Sequence, residues 1–304
     1  MQPHARPVDE SAGRRVVDVT VVIPAMNRAH LLGRALRSIE EQTVQPSRVI
    51  VIDDASEDDT AAVARDAGAE VIEMGERSGS GPARNAGVRA ATTEWIAFLD
   101  SDDEWLPHHL ETVLGHARGH VLATTAAMAS GGKWKGSPYQ KAVALTPASM
   151  LVPSDLVVTS STVVRRDALH EAGLFRPLPR AQDMDLWIRV LEVGTGVAWG
   201  EPTVVYHEHA TQAVRDVDLM RASFENILSE YAARPWMSVR LRDSALSRVI
   251  WDDMRLAQHR RDRRAMVLKA LWFARRPHVG PGLWSILRQR KIARGRERAH
   301  EAAT

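Results

Sequence analysis

The stretch WIAFLDSDDEW, Trp95 to Trp105, decides the fold class: a short, continuously apolar run ends in three carboxylates within four residues, Asp100, Asp102 and Asp103. An apolar run of this length reads as a strand buried on both faces, the habit of parallel sheets covered by helices. Upstream, the same grammar recurs. Arg84 to Ala91 spaces as a helix behind a Gly-rich loop, Glu70 to Glu73 as a strand, Thr60 to Ala67 as a short helix, and Val49 to Ile52 as a strand closing on Asp53-Asp54. Val16 to Ile23 (VVDVTVVI) reads as the first strand, ended by Pro24, and Leu31, Leu32, Ala35, Leu36 and Ile39 then recur at helical spacing. Alternating strands and helices predict an α/β domain with a mostly parallel sheet and helices on both faces. In open sheets of this kind ligands bind beyond the carboxyl ends of the strands, and each polar cluster of this half falls at such an end.

Downstream of Trp105 the pattern loosens. It reads as a helix from about Leu106 to His116, a strand near Val121 to Met128, a mobile Gly/Lys/Pro-rich loop from Gly131 to Pro138 and a strand from Val157 to Val164 (VVTSSTVV). A helix from Asp185 to Val193, a short strand from Val204 to His207 and helices from about Gln212 onward complete the chain. With 304 residues, 44% apolar and 26% charged, the composition is that of a soluble globular protein. The absence of cysteine excludes disulfides, thiolate metal sites and thiol nucleophiles, so any metal must sit on carboxylates and imidazoles. No apolar run approaches membrane-spanning length and residues 1–15 lack the apolar core of a signal peptide, so a loose tail and a cytoplasmic location are expected. Charge is uneven: residues 250–304 carry a net charge of about +9 and the remainder about −7.

Three clusters carry chemistry at the strand ends. Asp100, Asp102 and Asp103 repel one another unless a cation or hydrogen-bond donors compensate, which suits Mg²⁺ or Mn²⁺; the bland reading is that Asp102 or Asp103 caps the helix starting near Trp105. Asp53-Asp54-Ala55-Ser56 places acceptors where a base N–H or a ribose hydroxyl could be read, or else caps the helix at Thr60. The loop RSGSGPARN, Arg77 to Asn85, offers backbone N–H groups and Arg84 to a phosphate or base, yet matches neither the P-loop nor the dinucleotide-binding pattern. Further on, Gln182-Asp183-Met184-Asp185 offers one aspartate as a general base and the other as a cap, and His207 and His209 sit at i and i+2 on a strand end.

In order and spacing these pieces resemble the family 2 inverting glycosyltransferases. The resemblance runs through VTVVIPAMNR (19–28), LLGRALRSIEEQT (31–43), VIVIDDASEDDT (49–60), GPARNAG (81–87), WIAFLDSDDEW (95–105), QDMDLWIRV (182–190) and VVYHEHATQ (204–212), about two thirds of the chain. It implies the GT-A fold, to which the residues after Gln212 add a helical C-terminal subdomain. The implied divisions are a tail over 1–15, a nucleotide-sugar-binding half over 16–105, an acceptor-binding and catalytic half over 106–212, and a basic appendage over 213–304. It also implies residue roles: Pro24, Ala25 and Asn27 line the base, Asp54 reads its N–H, Arg84 holds nucleotide and Asp100 contacts ribose. Asp102 is the metal ligand of the DxD motif, His209 completes the metal site, and Asp183 is the catalytic base. Gln182 departs from the family pattern, where a glutamate is usual. The expected reaction moves a sugar from a nucleotide sugar, a UDP-sugar on family grounds, to an acceptor on a glycan, a lipid-linked glycan or a small natural product, with a divalent Mn²⁺ or Mg²⁺.

Two other classes compete. A sugar nucleotidyltransferase would also want paired aspartates, but the loop Ala25 to Arg28 is a poor match to the Gly-rich signature it needs. A non-catalytic scaffold or membrane adaptor of the same fold is kept open by Gln182 and by the basic C-terminus, where Trp236, Trp251, Trp272, Phe273 and Trp284 interleave with arginine pairs. Those aromatics suit either packing onto the domain or a peripheral contact with an anionic membrane. Nucleic acid is not an expected partner, since no nucleic-acid-binding motif is present.

Overall fold

The computed structural model describes residues 14–129, 134–135, 141–151, 156–207 and 217–247. His209, most of the Gly131 to Pro138 loop, the tail before Arg14 and the basic segment after Ser247 lie outside the described residues. In chain order the first half runs β1 (Val16–Ala25), α1 (Ala29–Glu40), β2 (Gln45–Asp53), α2 (Thr60–Asp66), β3 (Glu70–Glu73), α3 (Ser80–Ala90) and β4 (Trp95–Phe98). The second half runs β5 (Glu104–Trp105), α4 (His109–His116), β6 (Leu122–Ala129), β7 (Trp134–Lys135), β8 (Val143–Leu145), β9 (Thr162–Arg165), α5 (Arg166–Glu171), α6 (Gln182–Val193), β10 (Gly196–Tyr206) and α7 (Val217–Glu230).

Among the described residues the strands form one sheet in the order β3-β2-β1-β4-β9-β6-β10-β5, with β7 on β6 and β8 on β10. The strands β3, β2, β1 and β4 are parallel, as are β6 and β10. The second half makes the sheet mixed, because β9 runs antiparallel between β4 and β6 and the short strands β5, β7 and β8 are also antiparallel. The continuous apolar character of the strands has its cause here, since both faces are covered. Val22, Ile50, Ile52, Ile96 and Phe98 point into the core under α3 and α6, while Val21, Ile23, Val51 and Ala97 point into the core under α1 and α4.

Several boundaries differ from expectation, each for a local reason. Pro24 does not end β1: it pairs with Ile52 and Ala25 pairs with Asp53, so the strand delivers both residues to the sheet edge. Helix α3 begins at Ser80 instead of Arg84, so part of the Gly-rich loop forms its first turn. Helix α6 begins at Gln182 instead of Asp185, which puts Gln182 and Asp183 in its first turn. The segment Val157 to Val164 is not one strand. A 3₁₀ turn over Thr159–Ser161 precedes β9, because the Ser161 and Thr162 hydroxyls both donate to the Val158 carbonyl and favour a turn over an extended ladder.

At the C-terminal side, Trp236 donates its indole N–H to Glu192 of α6 at 2.8 Å and lies tilted against the Tyr231 ring. This tryptophan packs onto the domain. No helix among the described residues is long and apolar enough to cross a membrane.

Helix α3 approaches the sheet so closely that a Cβ added at Gly87 would lie 2.6 Å from Cγ1 of Val22 and 2.7 Å from Cδ1 of Ile52. Gly87→Ala gains up to about 1 kcal/mol in helix propensity and costs about 1–3 kcal/mol in overpacking. A lower urea midpoint with an unchanged m-value is the expected result, and a raised midpoint would show that the sheet yields freely.

Candidate active site at the carboxyl edge of the sheet

Three loops meet at the ends of β1, β2 and β3, and polar side chains lock them together. Asn27, in the left-handed region at φ 52°, donates its backbone N–H to Ser56 Oγ at 2.9 Å and accepts the Glu57 N–H on Oδ1 at 2.8 Å. Asp53 accepts the Ser56 N–H, and the Asp54 N–H donates to the Ala25 carbonyl at 2.8 Å. Asp54 is buried, and its two oxygens accept the N–H groups of Ser78 and Gly79, each at 2.7 Å. The carboxylate expected to read a base thus also holds the entrance of α3. About two of its four lone-pair directions remain for a ligand. Neither Ser56 nor Asp59 caps α2 by its side chain; Asp58 accepts the Thr60 N–H instead.

Arg84 rises from α3 with its side chain 9% exposed, bonds Asp100 at 2.5 Å and lies over the Phe175 ring, 5.5 Å from its centroid. Asn85 clamps the same helix to Phe175, giving its Nδ2–H to that carbonyl and taking that N–H on Oδ1. Phe175 in turn packs edge-on against Phe98 of β4. The arginine is therefore fixed on both sides. Two buried polar atoms at this rim, Arg84 Nε and Gln182 Oε1, have no hydrogen-bond partner among the described residues.

The acidic turn after β4 is built from its third carboxylate. Asp103 is 1% exposed and accepts Ser160 Oγ–H at 2.5 Å and the His207 N–H at 3.1 Å. Burial, then the negative charges of Asp100 and Asp102, push its carboxyl up to about 8. Ser160 Oγ also accepts the Asp100 N–H at 3.2 Å, and the Ser160 carbonyl accepts the Trp105 indole at 2.6 Å. Asp102 is half-buried, and its carbonyl accepts from Arg34 at 2.9 Å. Arg34 also pairs with Glu104, which bonds His207 Nε2 at 2.6 Å. Capping does not explain the cluster, because α4 starts at His109 and its N-cap residue, His108, makes no side-chain cap bond.

The two aspartates of α6 separate cleanly. Asp185 is fully buried and takes bonds from Arg176, Arg189 and the Tyr231 hydroxyl, tying α7 to α6. Burial alone would raise its carboxyl, but the bonds from Arg176 and Arg189 outweigh that and hold it low. It is a structural ion-pair centre instead of a cap. Asp183 is half-buried in the first turn, after Ala181 in the left-handed region at φ 56°. Its Oδ1 accepts the Met184 N–H at 2.8 Å and its Oδ2 accepts Thr159 Oγ1–H at 3.1 Å. Gln182 donates Nε2–H to the Leu178 carbonyl at 2.5 Å, while its Oε1 presses against the Cα of Gly81 in α3, leaving no room for a side chain there.

The structure thus gathers Pro24, Ala25, Asn27, Asp54, Arg84, Asp100, Asp102 and Asp183 along the carboxyl edge of the sheet. Among the described residues no group of three or more His, Asp or Glu side chains is arranged to hold a metal ion, and His209 lies outside them. Sequence reasoning missed Thr159, Ser160, Asn85 and Arg34. One signal was available: the four consecutive hydroxyls Thr159 to Thr162 inside an apolar run must find partners once buried.

Asp103 sets a pH dependence. A carboxyl raised from about 3.9 in the unfolded chain to about 8 in the fold binds its proton more tightly when folded. Its contribution is whole below pH 4 and is lost as pH rises towards 8. Asp103→Asn should flatten the decline of unfolding free energy over that window, measured by urea titrations at pH 5, 6.5 and 8, and an unaltered slope would dissociate Asp103 from it.

Residues 20–169 match the family model described as Glycosyl transferase family 2. The pre-mycofactocin glycosyltransferase of Mycobacterium tuberculosis is 31% identical over 247 residues, covering 76% of this chain and 50% of that protein, so the chain spans about half its relative's length. The fold is shared with Staphylococcus aureus TarS solved with UDP-GlcNAc (TM-score 0.62, 17% identity, 76% of this chain and 71% of that one). It is also shared with the mannosyltransferase PcManGT of Pyrobaculum calidifontis solved with GDP-Man and Mn²⁺ (TM-score 0.55, 18% identity, 96% and 90%). With its GT-A architecture and the motif-bearing domain that residues 20–169 mark out, the chain belongs to glycosyl transferase family 2.

Proposed function

We propose that this protein transfers a sugar from a nucleotide-sugar donor to an acceptor hydroxyl with inversion at the anomeric carbon. The observation that carries this reading is the pairing of two differently built carboxylate sites at one sheet edge. Asp183 is half-buried and held by two donors, and the Asp100–Asp103 turn is linked to it through the consecutive residues Thr159 and Ser160. One carboxylate on the attacking face suffices for a single displacement, in which Asp183 takes the acceptor proton as the hydroxyl oxygen attacks and the nucleotide leaves.

The other residues bind and orient. Pro24, Ala25 and Asn27 line the base, Asp54 contacts its N–H while holding the loop at Ser78 and Gly79, and Asp100, ion-paired to Arg84, meets the ribose. Arg84 Nε and Gln182 Oε1 beside this site are buried and unpartnered among the described residues. The half-buried carboxylate of Asp102, in a turn whose negative charge already raises Asp103, is the hard oxygen ligand that Mg²⁺ or Mn²⁺ prefers. Asp102 and His209 would hold that ion, which supplies positive charge to the diphosphate leaving group. The bound molecules of the two structural neighbours, UDP-GlcNAc and GDP-Man with Mn²⁺, support a nucleotide sugar and a divalent metal. The UDP-sugar reading follows the first of them. The acceptor is a glycan, a lipid-linked glycan or a small natural product.

Thermal-shift titrations with UDP, dTDP, GDP, CDP and ADP, each with Mn²⁺, Mg²⁺ or EDTA, test the donor site. A nucleotide at 100 times its Kd stabilises by about 2.7 kcal/mol. One nucleotide should shift the protein, and only with metal; no shift under any condition would leave a non-catalytic scaffold as the better reading. Asp183→Asn should keep the wild-type Tm and lose roughly 10²- to 10⁴-fold in kcat, and full turnover in that folded variant would remove Asp183 from the base role.

A further inference from the structure

We infer that Thr159 and Ser160 form a two-residue positioning element that sets the general base and the acidic turn relative to one another; the inference rests on the assignment of Asp183 as base. The two side chains face different partners from adjacent backbone positions. Thr159, 8% exposed, gives its single hydroxyl proton to Asp183 Oδ2 at 3.1 Å. Ser160, 1% exposed, uses one oxygen twice, donating to Asp103 at 2.5 Å and accepting the Asp100 N–H at 3.2 Å, while its carbonyl takes the Trp105 indole. Ser160 therefore grips the turn Asp100–Asp103 at both ends, and Thr159 grips the carboxylate of Asp183.

The element is itself rigid. It is a 3₁₀ turn whose third hydroxyl, on Ser161, lies 2.9 Å from both the Val158 and Thr125 carbonyls, which share its one proton, and meets Thr124 Oγ1 at 2.9 Å, fastening it to β6. The Thr162 hydroxyl donates to Val158 as well. Asp183 by contrast stands in the first turn of α6, behind a residue in the left-handed region, and among the described residues the other hydrogen bond to its carboxylate comes from the adjacent Met184 N–H. One local bond leaves a short side chain free to rotate; the second bond, from a different segment, selects the orientation. In-line displacement demands a base and a leaving group on opposite sides of one carbon, and a misplacement near 1 Å costs on the order of 100-fold. Thr159 touches no reacting atom in this scheme and is a positioning residue.

The test uses T159V, T159S, S160A and D183N in the full chain. T159V is close to isosteric and replaces the hydroxyl by a methyl group. With the nucleotide sugar whose nucleotide shifts the protein, kcat for T159V should fall roughly 10- to 100-fold with donor KM unchanged, and T159S should recover most of it. S160A should instead raise donor KM, because it loosens the turn that carries Asp100 and Asp102. T159V added to D183N should bring no further loss. A T159V loss that persists in the D183N background, or a D183N loss that T159V does not share, overturns the positioning role while leaving the base assignment standing. Full turnover by D183N overturns both. Crystal structures of wild type and T159V give a readout that needs no substrate: Asp183 leaves its wild-type rotamer in the variant, and an Asp183 side chain that stays in place overturns the inference.

Discussion

A carboxylate buried against its electrostatic preference organises this molecule. Asp103 is desolvated beside two other aspartates, and the structure compensates with a hydroxyl from the turn before β9 and a backbone N–H from the end of β10. Those two donors come from segments far apart in the chain. Because Asp103 needs both, it ties the end of β4 to β9 and β10, the point where the parallel half of the sheet meets the mixed half. The Arg34, Glu104 and His207 contacts run alongside and bring α1 to the same junction.

Asp185 shows the opposite solution to the same cost. It is as deeply buried as Asp103, yet two guanidinium groups and a phenol surround it, so its carboxyl is held low where that of Asp103 is raised. Ionised and saturated with partners, Asp185 has nothing left to offer a substrate, and it fastens α7 to α6. A fold that places one aspartate in each environment, three positions or fewer from a more exposed one, separates structure from chemistry within single motifs. Asp102 and Asp183 stay partly exposed because Asp103 and Asp185 take the buried positions.

The three loops at the ends of β1, β2 and β3 are similarly economical. Asp54 at the end of β2, proposed above to contact the base, is also the anchor of the Ser78-Gly79 backbone, so the shape of that loop depends on one side chain. The Gly-rich segment needs no phosphate-loop pattern for this. Gly81 accommodates Gln182, and Gly87 lets α3 lie directly on Val22 and Ile52. Gln182 therefore contributes packing against α3 as well as its departure from the family's usual glutamate.

Much of this was legible in the residue order. The apolar runs ending in aspartates fixed the strands, their edge and the likeness to a family, because a strand covered on both faces has to be continuously apolar and its first polar residues mark where it emerges. Asp54, Asp100 and Asp102 were visible as clusters on that ground, and Asp183 was visible as one of two aspartates where a loop meets a helix. The antiparallel insertion of β9 was not, since strand direction depends on which neighbours a segment meets and leaves no periodicity behind. The division of labour within the DSDD and QDMD motifs was equally hidden: neighbouring aspartates are chemically identical until burial and partners from other segments, Ser160 and His207 for Asp103, Arg176 and Tyr231 for Asp185, tell them apart. The sequence by itself determined which residues could do chemistry and at which strand ends. Only the tertiary structure decided which of them are desolvated, which are paired and which remain open, because ionisation and orientation are set by contacts between segments distant in the chain.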